Sequence, residues 1–304
     1  MTGPDRSVLL VAHTGRPEAV ELVRKVVERL HGAGVAVRAL AEEAAALVGA
    51  VGDLPLEIVE PVGAAVGTEL VLVLGGDGTL LRAAELGRAS GTPLLGVNLG
   101  HVGFLAEAEP EVAGTVVEAV LDGSWTVDER GTVDVTVTVD GRPIFHGWAL
   151  NEVSVEKSDR ARMVECVLGI DGLPLVTFGA DGVLVATATG ATAYAFSAGG
   201  PVLWPDVEAM LVVPLAAHAL FARPLVVSPS SVVAIEVLPG ESAALLACDG
   251  RRTVAVPAHA RVEVTGGALP VRLARIQDAA FTDRLVRKFG LPVHGWRGHN
   301  GRPT

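Results

Sequence analysis

Residues 71–85 read VLVLGGDGTLLRAAE. An unbroken apolar run stops at Gly75-Gly76-Asp77-Gly78, and a helical pattern starts at Thr79. A short apolar run bounded by turn residues is the pattern of a strand covered on both faces, as in a parallel sheet. The same grammar surrounds it. Ser7–His13 is a short apolar run, followed by a helix whose Val20, Val23, Val26, Val27 and Leu30 share one face. Val35–Leu40, Leu70–Leu74 and Pro93–Val97 read as further strands, with a helix over Thr79–Leu86. Such alternation predicts a Rossmann-like α/β domain. Ligands of these sheets sit at the carboxyl ends of the strands, where Gly75–Gly78 falls.

After Trp125 the pattern changes. Val133, Val135, Val137 and Val139 alternate with Asp134, Thr136 and Thr138, the period of a half-buried strand. Asp140-Gly141, Asp171-Gly172 and Asp249-Gly250 each join two such runs, the signal of a tight hairpin. A β-rich second domain is therefore expected. Helical spacing returns at 280–289, with Phe281, Leu285 and Phe289 on one face. The expected divisions are 1–126, 127–275, a C-terminal helix within 276–296 and a mobile tail over 297–304.

The 304 residues are 50% apolar and 19% charged, enough for two cores in a soluble protein. The net charge is −11 and no Lys/Arg cluster offers a footprint for nucleic acid. An acidic chain that binds anionic nucleotides must do so with backbone N–H groups, one or two arginines or a metal ion. Cys166 and Cys248 are the only thiols, which fits small buried hydrophobes in a reducing cytoplasm. The N-terminus lacks the basic start and cleavage site of a signal peptide. Residues 182–205 carry no charge, but Gly190, Gly199, Gly200 and Pro201 argue against a membrane span and for buried irregular backbone.

Glycines let backbone N–H groups approach a ligand, and a helix start adds partial positive charge, so Gly75, Gly76, Gly78 and Thr79 read as a phosphate cradle. A carboxylate beside phosphates is unfavourable unless a metal intervenes or it has a proton to remove. Asp77 is thus a candidate general base; a helix N-cap is the plain alternative. Asn98 and Phe104 follow the next strand, with ligand contact set evenly against turn and core roles. Asn151 and Glu152 can share out a ribose diol, since the amide donates and accepts while the carboxylate accepts. Arg162 could meet a phosphate, with a solvated surface arginine as the favoured plain alternative. Asp181-Gly182 lacks two alternating flanks, so a hairpin explains it less well. The segment after it is rich in Thr, Ser and Gly, and Tyr194, the single tyrosine, could lay its ring on a purine.

GGDGT at 75–79, NLGHVGF at 98–104, NE at 151–152 and DGVLVATATGATAYAFSAGGP at 181–201 resemble, in order and spacing, the four signatures of NAD kinases. The resemblance implies an α/β domain that handles the phosphate donor, a β-rich NAD-binding domain and a last helix packing back on the first. It implies phosphoryl transfer from ATP or polyphosphate to the adenosine ribose 2′-hydroxyl of NAD, with a divalent metal, Mg²⁺ foremost. A homodimer or homotetramer is implied, and no direct metal ligand is singled out. Asp77 would be the proton acceptor, with Gly78 and Arg82 near phosphate. Asn151 and Glu152 would bind ribose hydroxyls. Asp181 with Thr192, Ala193, Tyr194, Ala195, Phe196 and Ser197 would hold the adenosine part of NAD. Arg162 and Arg251 match ligand-contacting positions less closely.

Two positions depart from the family's usual TPTGSTAY. Ala188 replaces proline and Ala191 replaces serine, which predicts weaker NAD affinity rather than lost chemistry. A dinucleotide-binding regulatory paralogue with weakened catalysis is the rival reading, and a lipid or sugar kinase sharing GGDGT is another. Gly179 is read as leaving room beside the dinucleotide, which would admit the reduced cofactor.

Overall fold

In the computed structural model, residues 6–15, 17–98, 103–105, 113–159, 162–240, 244–276 and 280–293 are described. The expected tail and Leu99, Gly100, His101 and Val102 of the second motif lie outside them. The chain divides into two compact units, Met1–Asp128 with Arg272–Thr304, and Glu129–Val271.

The first unit alternates as its apolar runs require: β1 (Arg6–Ala12), α1 (Pro17–Gly32), β2 (Val35–Leu40), α2 (Ala41–Val51), β3 (Glu57–Val59), β4 (Leu70–Leu74), α3 (Asp77–Gly87), β5 (Leu94–Val97), α4 (Ala113–Asp122) and β6 (Thr126–Arg130). Near its end the chain adds β19 (Val271–Arg275) and α6 (Phe281–Phe289). The sheet runs β3-β2-β1-β4-β5-β19-β6, with the pairs from β3 through β19 parallel. All five residues of β4 are buried, which is why that strand reads as a continuous apolar run. Val23, Val26, Val27 and Leu30 of α1 pack into the same core as Leu70, Leu72 and Leu74. Full burial of each such side chain is worth about 1.5–3 kcal/mol relative to exposure.

The second unit is a β-sandwich. One sheet runs β11 (Leu173–Ala180), β10 (Val164–Ile170), β15 (Val233–Val237), β18 (Arg261–Gly266), β7 (Val133–Val139), β8 (Arg142–Ala149). The other runs β14 (Leu225–Val227), β13 (Met210–Leu215), β12 (Gly182–Thr187), β9 (Glu152–Lys157), β16 (Ala244–Cys248), β17 (Arg252–Val256). Val135, Cys166 and Ile235 of the first share one core with Val153, Val185 and Leu246 of the second. Burial pushes the Cys166 thiol up to about 12, so it acts as a small hydrophobe.

The three Asp-Gly pairs are hairpin turns with left-handed backbone at both positions, for example φ 51° at Asp171 and 82° at Gly172. Asp181-Gly182 instead carries the chain from β11 in one sheet to β12 in the other. The uncharged stretch is only partly irregular, contrary to the sequence reading. Its first six residues form β12, buried on both faces. Val183 and Val185 face the inter-sheet core, while Leu184 and Ala186 are covered by Ala191 and by Ala195 of the one-turn α5 (Tyr194–Ser197). Two-sided burial leaves no position for charge. Among the described residues no helix is long and apolar enough to cross a membrane.

Candidate active site

The site residues of the first unit gather at the carboxyl ends of β1, β4 and β5. Gly75 and Gly76 follow β4, and Gly75 N–H donates to Val97 O at 3.0 Å. Helix α3 starts two residues earlier than its apolar spacing indicates, so Asp77, Gly78 and Thr79 form its first turn. The first-turn N–H groups of a helix have no intrahelical acceptor and point outward with partial positive charge. Thr79 N–H is already spent on Gly76 O at 3.0 Å. Asp77 is not an N-cap; that position is Gly76. The Asp77 carboxylate instead accepts the Phe104 and Leu105 N–H groups, each at 3.2 Å.

Asn98 is buried just past β5. The Phe104 ring packs against Phe281 and Phe289 of α6, with centroids 5.9 and 5.8 Å apart, and so works as a structural anchor. The Arg82 guanidinium turns toward the start of α2. It pairs with buried Glu43, lies 3.4 Å from Glu42 and donates to Ala12 O at 3.1 Å. Glu43 also accepts the Ala12 N–H at 3.1 Å. This buried acid was not singled out from the sequence, because α2 reads there as an alanine-rich stretch of weak pattern.

In the second unit, Asn151 and Glu152 lie buried at the start of β9. Thr187 ties them to the uncharged segment: its N–H donates to Asn151 O at 2.9 Å and its hydroxyl to Leu150 O at 2.6 Å. Gly190 N–H donates to Thr187 Oγ1 at 3.0 Å. A Cβ on Gly190 would stand 2.9 Å from Asn151 Cα, so only glycine permits this approach. The third and fourth motifs are thereby knit into one surface.

Glu152 is 7% exposed and its Oε2 has no hydrogen-bond partner among the described residues. Burial, then the charge of Asp249, push its carboxyl up to about 7, against the Tyr194 N–H that favours the ionised form; Glu156 adds to the rise. An unpartnered buried acceptor is costly in the absence of a donor, and a sugar hydroxyl is one.

Asp249 was read from the sequence only as a turn residue. Its buried carboxylate accepts the Leu150 N–H at 3.0 Å and the Asn151 N–H at 2.7 Å. Arg252 pairs with it at 2.8 Å while stacking 4.5 Å over Trp148. The hairpin pattern hid this second role. Asp181 pairs with Lys157 and its side chain is half exposed. Thr192 donates to Thr189 O at 3.3 Å, and Ala193 precedes α5. Tyr194 is 41% exposed and donates from its hydroxyl to Glu156 Oε2 at 3.2 Å; burial and Glu156 raise its pKa. Ala195 is buried, whereas Phe196 and Ser197 are exposed. Arg162 is exposed ahead of β10, and Arg251 is exposed in the β16–β17 turn.

Two expectations change. Ala191 is fully buried in the apolar cluster behind β12, so it presents no surface through which a lost serine hydroxyl could weaken ligand binding. The room beside Gly179 is taken by Met163, whose side-chain atoms would lie 3.5–3.7 Å from a Cβ there.

Residues 8–125 match the model of the ATP-NAD kinase N-terminal domain, and residues 150–276 that of the ATP-NAD kinase C-terminal domain. The NAD kinase of Thermobifida fusca strain YX is 59% identical over 300 residues, covering 97% of this chain and 92% of that protein. A yeast NADH kinase solved with NADH shares the fold at a TM-score of 0.86 and 23% identity, over 95% of this chain and 89% of its own. An NAD kinase from Archaeoglobus fulgidus solved with ATP gives 0.67 and 25% identity, over 94% and 97%.

Proposed function

The chain belongs to the NAD kinase family, and on that premise we propose that Asp77 accepts the proton of the hydroxyl that is phosphorylated. The enzyme phosphorylates NAD to NADP, with ATP and NAD as its substrates. The hydroxyl assigned is the 2′-hydroxyl of the adenosine ribose. As its O–H bond breaks toward an Asp77 oxygen, the ribose oxygen attacks the terminal phosphorus of ATP. The bond from that phosphorus to the bridging oxygen breaks and ADP leaves. Catalysis in such a transfer is mostly positioning and electrostatics.

The observation that carries the assignment is the seat of Asp77. Its carboxylate stands in the first turn of α3, past a double glycine, at the carboxyl edge of a parallel sheet. The N–H groups of Asp77 and Gly78 are oriented to receive phosphate oxygens. Asn151 and Glu152 are assigned to the ribose hydroxyls. Asp181 and Thr192 through Ser197, with the half-exposed Tyr194 ring, are assigned to the adenosine. Arg82 stands by for phosphate on the donor side, drawn there from Glu42 and Glu43.

A divalent cation, Mg²⁺ foremost, fits as a companion of the donor phosphates rather than as the tenant of a protein cage. Among the described residues no three His, Cys, Asp or Glu side chains gather into a metal-holding group. Mg²⁺ binds largely through substrate phosphate oxygens and its own waters, so the donor phosphates can supply its ligands. When bound, the cation offsets donor charge. A homodimer or homotetramer in the cytoplasm completes the reading, checked by sedimentation.

The test is Asp77→Asn, assayed with ATP, Mg²⁺ and NAD by the NADP formed. NAD binding by calorimetry should persist while turnover falls ~10²–10⁴-fold, the range of general-base catalysis. Turnover near that of the parent would refute the role of Asp77.

A further inference from the structure

Asp77 is held by a segment that is itself held. The Phe104 N–H meets Oδ2 and the Leu105 N–H meets Oδ1, each at 3.2 Å. The peptide group that supplies the Leu105 N–H carries the Phe104 carbonyl at its other end. That carbonyl accepts from Arg284 Nη1 at 3.0 Å. The following carbonyl, of Leu105, accepts from Arg275 Nη1 at 3.4 Å, a weaker contact, and Arg275 pairs with Asp128 at 3.2 Å. Segment 103–105 can come this close because Gly103 has no side chain: a Cβ there would lie 3.0 Å from Asp77 Cγ. Phe281 and Phe289 flank the Phe104 ring, and Leu285 between them is buried, so the apolar face of α6 fixes where Arg284 stands.

We infer that Arg284 is a positioning residue for the proton acceptor, holding the Asp77 carboxylate in its reactive orientation through the Phe104–Leu105 peptide group. The inference rests on the reading of Asp77 as the base. A peptide group is a dipole, negative at oxygen and positive at N–H. A guanidinium on the oxygen polarises it and strengthens the N–H that faces the carboxylate. A hydrogen bond with an ionised partner is about twice as strong as a neutral one, and this chain has one at each end. The interposed peptide also keeps the cation out of contact with the carboxylate. The C-terminal helix thereby acts on the reaction without touching a reacting atom.

The experiment is a double-mutant cycle on the full-length enzyme. Arg284→Met should lower kcat about tenfold, the scale of one hydrogen bond to a charged group, while KM for NAD and for ATP moves less than about threefold. Arg284→Lys, which restores a charge to the carbonyl, should recover part of the loss. In the Asp77→Asn background the same Arg284→Met change should cost nothing further. A kcat within about twofold of the parent overturns the inference, as does an undiminished loss in the Asp77→Asn background, which would make Arg284 a general support of the fold. Should Arg284→Met not fold, Arg284→Lys and Arg284→Gln carry the test: Lys must retain more kcat than Gln, and equal rates overturn the relay. The two readings fail separately. A fully active Asp77→Asn removes the base itself, whereas an inactive Asp77→Asn beside a fully active Arg284→Met removes only the relay.

Discussion

Asp249 holds the first place of the β16–β17 turn at φ 54°, and its carboxylate reaches back to the N–H groups of Leu150 and Asn151. Both of its jobs depend on different atoms. Asparagine tolerates the left-handed backbone, so Asp249→Asn should keep the turn itself. Its amide nitrogen, however, would set an N–H against a backbone N–H, and the negative charge that Arg252 meets at 2.8 Å would be gone. We expect the Kd for NAD, read by calorimetry, to rise roughly tenfold, the cost of one charge-assisted hydrogen bond. Glu152 carries a second prediction. Its carboxyl lies at about 7 in the folded chain against 4.5 for the free side chain. Between those values the folded state binds more protons than the unfolded one, so stability falls as pH rises from about 4.5 to 7. The contribution is present in full below that window and lost above it, on the order of 3 kcal/mol. Denaturant melts of the ligand-free protein at pH 4.5 and 8 should show that slope, and Glu152→Gln should flatten it. An unchanged slope in the variant assigns the pH dependence elsewhere.

Elements whose reason is local were legible, and those whose reason is distant were not. Strand β4, the glycine mouth and α3 follow from an apolar run, three glycines and a 3.6-residue period within 71–85. The hairpins follow from Asp-Gly pairs that only left-handed backbone explains. Helix α2, by contrast, is AEEAAALVGAV, and its small residues blur the apolar stripe; yet it supplies the buried Glu43. Arg82 is set near phosphate by the family resemblance alone, and nothing near it in sequence announces Glu42 and Glu43. Asp249 meets Asn151 at a sequence separation of 98, beyond any window of pattern reading. Glycine at 190 is the element-scale case. It lets the turn after β12 touch the backbone of Asn151. Gly190→Ala must push that backbone away, at about 1–3 kcal/mol, the range for overpacking a filled site. The denaturation midpoint should fall accordingly and NAD binding should weaken with it. A variant with parental stability and affinity would mean that the two motifs are not held together by this contact.

The chain leaves its first unit after Asp128 and returns at Arg272, and the returning strand goes into the interior of the sheet. Strand β19 lies between β5 and β6, so the parallel sheet is complete only when the last thirty-odd residues have been made. A sheet missing an internal strand exposes two unpaired edges, and here it would also separate β6 from its neighbour. The second unit has no such dependence. Its two six-stranded sheets draw all their strands from the continuous run Glu129–Val271 and share one core made within it. The two units should therefore differ when cut from the chain. A fragment of residues 129–271 should unfold cooperatively, with the circular dichroism of a β-sandwich. A fragment of residues 1–128 should lack a sharp transition and aggregate through its open edges, and a fragment beginning at residue 269 should rescue it when the two are refolded together. Cooperative melting of 1–128 alone would show that β19 is dispensable to the sheet. Because α6 follows β19 within the same returning segment, that outcome would also separate the stability of the sheet from the support given to Asp77. Removing residues 277–304 from the whole enzyme then becomes the sharper cut: the sheet keeps β19 and loses α6, so melting should change by only a few degrees while kcat falls at least as far as in Arg284→Met.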